Sequence, residues 1–211
     1  MIGINFGSYH SYDDFGLLLA DVAVTPPVPQ RFIVEVPGRN GVVDLTPAIM
    51  GNKIAYGERI ISLAFNVVGA CNYQQKLTEV SNAIHGQTLE VIFDADPEYY
   101  WNGYITVDAQ GSDEDLGTFN ITVSADPYKY AVLETEVIIS GSGTATLDNG
   151  RMEVTPTIET TDETTLTYGD VTTTIDAGTH ILSDLELREG TTTVTVTSTG
   201  TTTFTYRQGE L

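Results

Sequence analysis

The clearest hydrophobic pattern in the chain is an alternation. Over residues 58–68, Arg59, Ile61, Leu63, Phe65 and Val67 share one parity, and Ile60, Ser62, Ala64, Asn66 and Val68 share the other. That period of two predicts a strand, with the first set facing a core. Arg59 shares the apolar parity, so it is expected to snorkel to the core margin and pair with a carboxylate. Residues 17–24, 32–36, 42–45, 89–93, 99–107 and 119–123 have the β-branched and aromatic content of further strands. Only one segment changes period. Leu77, Val80, Ala83 and Ile84 recur at helical spacing, behind Asn72 as N-cap with Gln75 three residues on. Gly86 stands where a left-handed residue would end that helix.

Between these elements the polar and breaking residues assign the connections. Residues 2–11 read as a short strand and a loop, and residues 48–57 as a loop. Thr25-Pro26-Pro27-Val28-Pro29 lacks three N–H donors and is expected as a connector or sheet edge. Asp94-Ala95-Asp96-Pro97 breaks a strand. Residues 108–117, acidic and glycine-containing, predict a mobile, exposed loop between two strands. The chain's most marked turn chemistry is Val36-Pro37-Gly38-Arg39-Asn40-Gly41. Pro37 pre-sets φ and Gly38 supplies the positive φ of a type II turn. Asn40-Gly41 is a strong short-hairpin signal.

From residue 131 onward lysine disappears and threonine becomes the commonest residue. Glycine-containing turns recur through this half at the rhythm of an all-β sandwich. Val194 and Val196 take one face against Thr193, Thr195 and Thr197, and Phe204 and Tyr206 repeat the alternation. Pro156 argues for an edge or bulge over residues 154–158. Two domains are therefore expected, residues 1–130 and 131–211, with the boundary falling at about residues 131–141. The fold class is mainly β with one α-helix.

Composition narrows the functional classes. Nine Lys plus Arg against 29 Asp plus Glu give a net charge of -20, so the average surface repels nucleic acid and anionic lipid. The first residues lack a charged segment followed by an apolar one, so no signal peptide is expected, and no apolar run approaches a membrane span. The single cysteine, Cys71, excludes an internal disulfide and is expected as a buried small hydrophobe.

Candidate chemistry is sparse. His10, His85 and His180 lie far apart, and His85 is expected to cap the helix end as an imidazolium. The carboxylates Asp94 and Asp96, and Asp113-Glu114-Asp115, are the best metal candidates, but neither group has the ligand count calcium requires. No metal or cofactor is expected. Of the aromatic group Tyr99, Tyr100, Trp101 and Tyr104, alternation buries half. Tyr99, Trp101 and Tyr104 are the candidate interface residues.

The order and spacing of several of these motifs carry a resemblance. Val36-Pro37-Gly38-Arg39-Asn40-Gly41-x-x-Asp44-Leu45-Thr46, followed by Tyr56-Gly57-Glu58-Arg59, resembles the signature of the distal tail proteins of long-tailed bacteriophages. It extends back to Asp13-Asp14-Phe15-Gly16 and forward to Ile84-His85-Gly86, Tyr99-Tyr100-Trp101-Asn102-Gly103 and Ala125-Asp126-Pro127-Tyr128. It covers the N-terminal three fifths of the chain well and the rest loosely. This chain carries Tyr104 where such families have a basic residue.

The resemblance implies an N-terminal β-sandwich-like domain with a helix and a hairpin, assembled as a ring, usually hexameric. The ring would sit at the distal end of the phage tail, between tail-tube protein and a tail-associated or receptor-binding baseplate component, and let DNA pass. It also implies a smaller C-terminal β-sandwich of galectin-like or carbohydrate-module-like form. An acidic lumen suits DNA passage because it repels the duplex, and Asp113, Glu114 and Asp115 are candidates for its wall. Two other readings stand beside this one. One is a stand-alone module binding host cell-surface glycan, with Tyr168, Phe204 and Tyr206 as the aromatics available for it. The other is a wall hydrolase using two carboxylates.

Overall fold

The computed structural model describes residues 3–51, 53–67, 72–113 and 116–211. Cys71, Glu114 and Asp115 lie outside them. The chain divides into two compact units, Met1–Ala95 with Trp101–Pro127, and Asp96–Tyr100 with Tyr128–Leu211.

The first unit contains β1 (Ile4–Phe6), β2 (Tyr9–His10), β3 (Leu17–Val24), β4 (Ile33–Glu35), β5 (Val42–Asp44), α1 (Thr46–Met50), β6 (Arg59–Val67), α2 (Tyr73–Ile84) and β7 (Thr88–Phe93). To these it adds most of β8 (Tyr99–Asp113) and all of β9 (Leu116–Ala125). An antiparallel sheet runs β2-β1-β7-β8-β9-β6-β3. Its strand β6 buries Arg59, Ile61, Leu63 and Phe65, the parity the alternation predicts. The same core takes Phe6 from β1, Phe119 and Ile121 from β9, and Val80 and Ile84 from α2. Phe6 meets Phe65 edge-on at 6.3 Å, and Tyr73 of α2 meets Phe119 at 5.1 Å.

Helix α2 starts as its sequence predicts, with Asn72 Oδ1 accepting from the Gln75 N–H at 3.2 Å. Its far end is also where the sequence puts it, with His85 as C-cap and Gly86 left-handed behind it, but the His85 side chain is used differently. His85 Nδ1 accepts a hydrogen bond from the Val107 N–H at 3.0 Å, so its side chain serves a strand. Gly86, at φ 75°, donates to Ile105 O at 2.8 Å, and Ile105 donates to Gln87 O at 2.9 Å. The His85 side chain thus continues the β7–β8 ladder ahead of the first residue of β7. His85→Ala is expected to orphan the Val107 N–H and cost about 1–3 kcal/mol. Urea unfolding read by the fluorescence of Trp101, the only tryptophan, checks this; His85→Asn, which restores an acceptor, should lose less.

Three further expectations change. Arg59 is buried rather than marginal, and its Nη2 donates to the main-chain carbonyl of Pro127 at 2.6 Å instead of meeting a carboxylate. A second helix, α1, occupies part of the stretch expected as a loop; Pro47 sits in its first turn, where a missing N–H costs nothing. Strand pairing also runs on through the stretch expected as a loop, to Asp113 opposite Leu116, with a register shift after Gln110. A shift of this kind lets a glycine-containing segment stay in a ladder.

The second unit contains β10 (Lys129–Ala131), β11 (Thr135–Ser140), β12 (Gly143–Asn149), β13 (Thr157–Thr160), β14 (Thr164–Tyr168), β15 (Val171–Ile175), β16 (Gly178–Ile181), β17 (Gly190–Ser198), β18 (Thr201–Tyr206) and β19 (Gly209–Glu210). Two antiparallel sheets, β11-β18-β13-β16 and β12-β17-β14-β15, enclose a core of Leu147, Ile158, Leu166, Val194, Val196 and Phe204. Strand β13 starts just after Pro156, and Val154 makes only an isolated bridge with Leu187. Strand β10 pairs with β19 and with Tyr99 and Tyr100 at the start of β8. That pairing explains why residues 96–100 group with a unit expected to begin about thirty residues later.

Candidate functional site

The feature that most needs explaining is the β4–β5 hairpin with α1. Strands β4 and β5 pair only with each other, through Ile33–Asp44, Val34–Val43 and Glu35–Val42. Helix α1 buries no residue. An isolated two-stranded hairpin is marginal in water, and this one has little core of its own. Apolar side chains nevertheless cover it: Val28 is 70% exposed, Ile33 51% and Ile49 60%, and Val34, Val42 and Ile54 are exposed as well. Isolated exposed apolar residues are ordinary, whereas so many along one segment make it a candidate interaction surface.

The segment is held in shape locally. At its base Pro29 bridges Tyr56, Gln30 N donates to Ala55 O at 2.8 Å, and Gly57 N donates to Val28 O at 2.9 Å. Further out, Leu45 N donates to Phe32 O at 2.7 Å and Phe32 N to Thr46 Oγ1 at 2.8 Å. Asp44 accepts from Thr46 N at 3.0 Å and pairs with Arg31 at 2.6 Å. At the tip, Arg39 N donates to Val36 O at 3.1 Å across Pro37-Gly38, with Gly38 at φ 82°, as a type II turn requires. Asn40-Gly41 does not form a two-residue hairpin turn. The connection spans residues 36–41, and Asn40 has no positive φ. Charge sets the segment apart too. Residues 25–57 carry three cations, Arg31, Arg39 and Lys53, against Glu35 and Asp44, in a chain of net charge -20.

Hydrogen bonding by Thr46 and the Arg31 guanidinium holds the Asp44 carboxyl down to about 2, from an ordinary value of 3.8. A depressed carboxyl contributes its stabilisation above its ordinary value and loses it as pH falls through the lowered one. The outer lock of the hairpin is therefore expected to loosen between 3.8 and about 2. Amide exchange at Phe32 and Thr46 during an acid titration checks this, and Asp44→Asn should abolish the pH dependence.

The aromatic candidates do not make one surface. Trp101 is buried against Phe93, edge to face at 5.1 Å, because its parity on β8 points it into the core; it is not a surface contact. Tyr104 takes the opposite parity and is 49% exposed. Tyr99, in the second unit, lies under the Lys129 ammonium at 4.0 Å. Burial, and then the Glu210 carboxylate, push its hydroxyl above the ordinary value. Arg207 lies over Tyr100 and donates to the carbonyls of Ala131 and Val132 at 2.6 and 2.7 Å. These are internal ties of the second unit.

The other candidates resolve similarly. Asp94 accepts from Gly3 N at 2.7 Å and faces His10 Nε2 at 3.3 Å, whereas Asp96 pairs with Lys129 at 2.8 Å. Among the described residues no His, Cys, Asp and Glu group is arranged to hold a metal ion. Tyr168, Phe204 and Tyr206 are all buried, so none offers the exposed ring that stacking on a sugar requires. One open hollow of about 630 Å³ lies over the outer face of β3, β6, β8 and β9. Asp21, Ser62, Ala64, Asp108, Asn120 and Thr122 are among its lining residues, which include no cation.

Against known proteins, no family profile and no curated sequence matches the chain. Among solved structures it superposes on the Dit protein of phage SPP1 with a TM-score of 0.70. That likeness covers 98% of this chain and 99% of the other, at 13% identity. The fold is the Dit fold. The SPP1 Dit protein is described as a paradigm of the hub adsorption apparatus of phages infecting Gram-positive bacteria. No helix among the described residues is long and apolar enough to cross a membrane.

Proposed function

We propose that this chain is a structural hub protein of a phage tail tip. In this reading copies of it form a ring, six in the arrangement that the resemblance to distal tail proteins implies. The ring joins the tail tube to the baseplate or receptor-binding component and lets DNA pass. The observation that carries the reading is the Dit fold over almost the whole chain. The exposed apolar hairpin supports the self-assembly part. A surface that finds no cover among the described residues, placed on an arm, suits a head-to-tail contact, and head-to-tail contacts whose rotation closes make rings. The role is architectural rather than catalytic, and its place is the virion, at the distal end of the tail.

The passage in this reading is walled by carboxylates of residues 1–130. The hollow beside Asp21 and Asp108 has the right character, small and polar with no Lys or Arg to hold a phosphate. Asp113, whose neighbours Glu114 and Asp115 lie outside the described residues, remains a candidate for the same wall. A ring structure with a neutral or basic lumen would sink this part. The reading as a whole is tested by negative-stain electron microscopy with light-scattering mass on the purified chain. The expected result is a closed ring with a central hole and a mass several times 22.8 kDa. A strict monomer at high concentration, alone and with tail-tube protein, overturns it.

A further inference from the structure

The chain contains three Asn-Gly dipeptides, Asn40-Gly41, Asn102-Gly103 and Asn149-Gly150, and the fold treats them differently. In any Asn-Gly the main-chain nitrogen of the glycine can reach the asparagine side chain, because no Cβ stands in the way. Reaction then needs a free side-chain amide, a free glycine N–H and room for the backbone to rotate. Asn102 and Asn149 lack these. Asn102 Nδ2 donates to Asp126 Oδ2 at 3.1 Å, and Gly103 is paired on both sides, with Leu89 and Ala125, tight against Val123. Asn149 is buried, its Nδ2 donates to Met152 O at 2.7 Å and Leu187 O at 2.9 Å, and Gly150 packs against the Gly209 carbonyl.

Asn40 is the opposite case. It sits exposed at the tip of the hairpin, and nothing lies within 4 Å of the place a Gly41 Cβ would take. Neither its amide nor the Gly41 N–H has a partner among the described residues. We infer that Asn40 is a site of spontaneous deamidation in the folded chain, and that Asn102 and Asn149 are protected.

The Gly41 nitrogen gives up its proton and bonds to Cγ of Asn40, and the side-chain amide leaves as ammonia. Water then opens the resulting succinimide at either carbonyl, to aspartate or to isoaspartate. Water is the only co-reactant, and nothing is oxidised or reduced. Either product places a new carboxylate beside Arg39. The isoaspartate also routes the main chain through one extra methylene, which changes the geometry of the turn. The inference concerns the single chain, with its hairpin tip uncovered; because the ring reading seats this hairpin against another copy, the native sample is aged at a dilution where light scattering reads a monomer.

The test is to age the full-length protein in mildly alkaline buffer, natively and in urea. Both samples are then digested with an acid-active protease and sequenced by fragmentation mass spectrometry. In urea all three asparagines should lose their amides. In the native sample Asn40 should convert at close to its urea rate, with isoaspartate among the products, while Asn102 and Asn149 stay intact. Asn40→Gln should remove the native signal altogether. Native protection of Asn40 equal to that of the other two would overturn the inference.

Discussion

Ile33→Asp combined with Ile49→Asp is expected to leave the chain folded and abolish its self-assembly. Both side chains are half exposed or more, and surface changes away from packed features stay within about 0.5 kcal/mol of neutral. If the hairpin seats against another copy, burying the exposed half of each apolar side chain contributes about 0.8–1.7 kcal/mol. Two losses, before the cost of burying a charge, weaken each contact about ten- to several-hundred-fold. A ring repeats that contact at every interface, so closure should fail completely. Light-scattering mass across a dilution series reads the assembly, and far-UV circular dichroism with Trp101 fluorescence reads the fold. A double variant that assembles like the parent would remove the hairpin from the contact and leave the Dit fold without an explanation for its apolar arm.

That arm shows where sequence reading succeeds and where it stops. Its strands and its Pro37-Gly38 turn are legible, because β propensity and the φ demands of proline and glycine are local. Its solitude is not. Val34 and Val42 read as strand residues in sequence, and only the tertiary fold shows that no third strand among the described residues pairs with theirs. Helix α2 and strand β6 were legible for the opposite reason, since each presents one periodic face to a core that exists within the chain. The Val/Thr alternation of β17 predicted its inward Val194 and Val196 in the same way.

What escaped was long-range. No local pattern says that Tyr99 and Tyr100 pair with β10, or that a histidine at a helix end will serve a strand twenty-two residues away. Alternation buries Trp101 and exposes Tyr104, yet their shared aromatic character suggested a common surface that parity forbids. The short helix α1 leaves no mark in the sequence, because five residues give no period to read.

Phe204→Ala and Phe65→Ala should each cost about 3–5 kcal/mol, but in different transitions. Phe204 is fully buried among Ile158 and the other core residues of the second unit, and Phe65 is fully buried in the first. The two cores share no residue. Trp101 lies in the first core, so its fluorescence reports that unit alone, whereas far-UV circular dichroism reports strands of both. Under urea, Phe65→Ala is expected to move the fluorescence transition to lower denaturant. Phe204→Ala should shift a circular dichroism transition and leave the fluorescence midpoint where it was. Such a split would establish two cooperative units along a chain that the sequence divides near residue 131. A single transition, moved equally by both variants and seen identically by both probes, would mean instead that the chain unfolds as one.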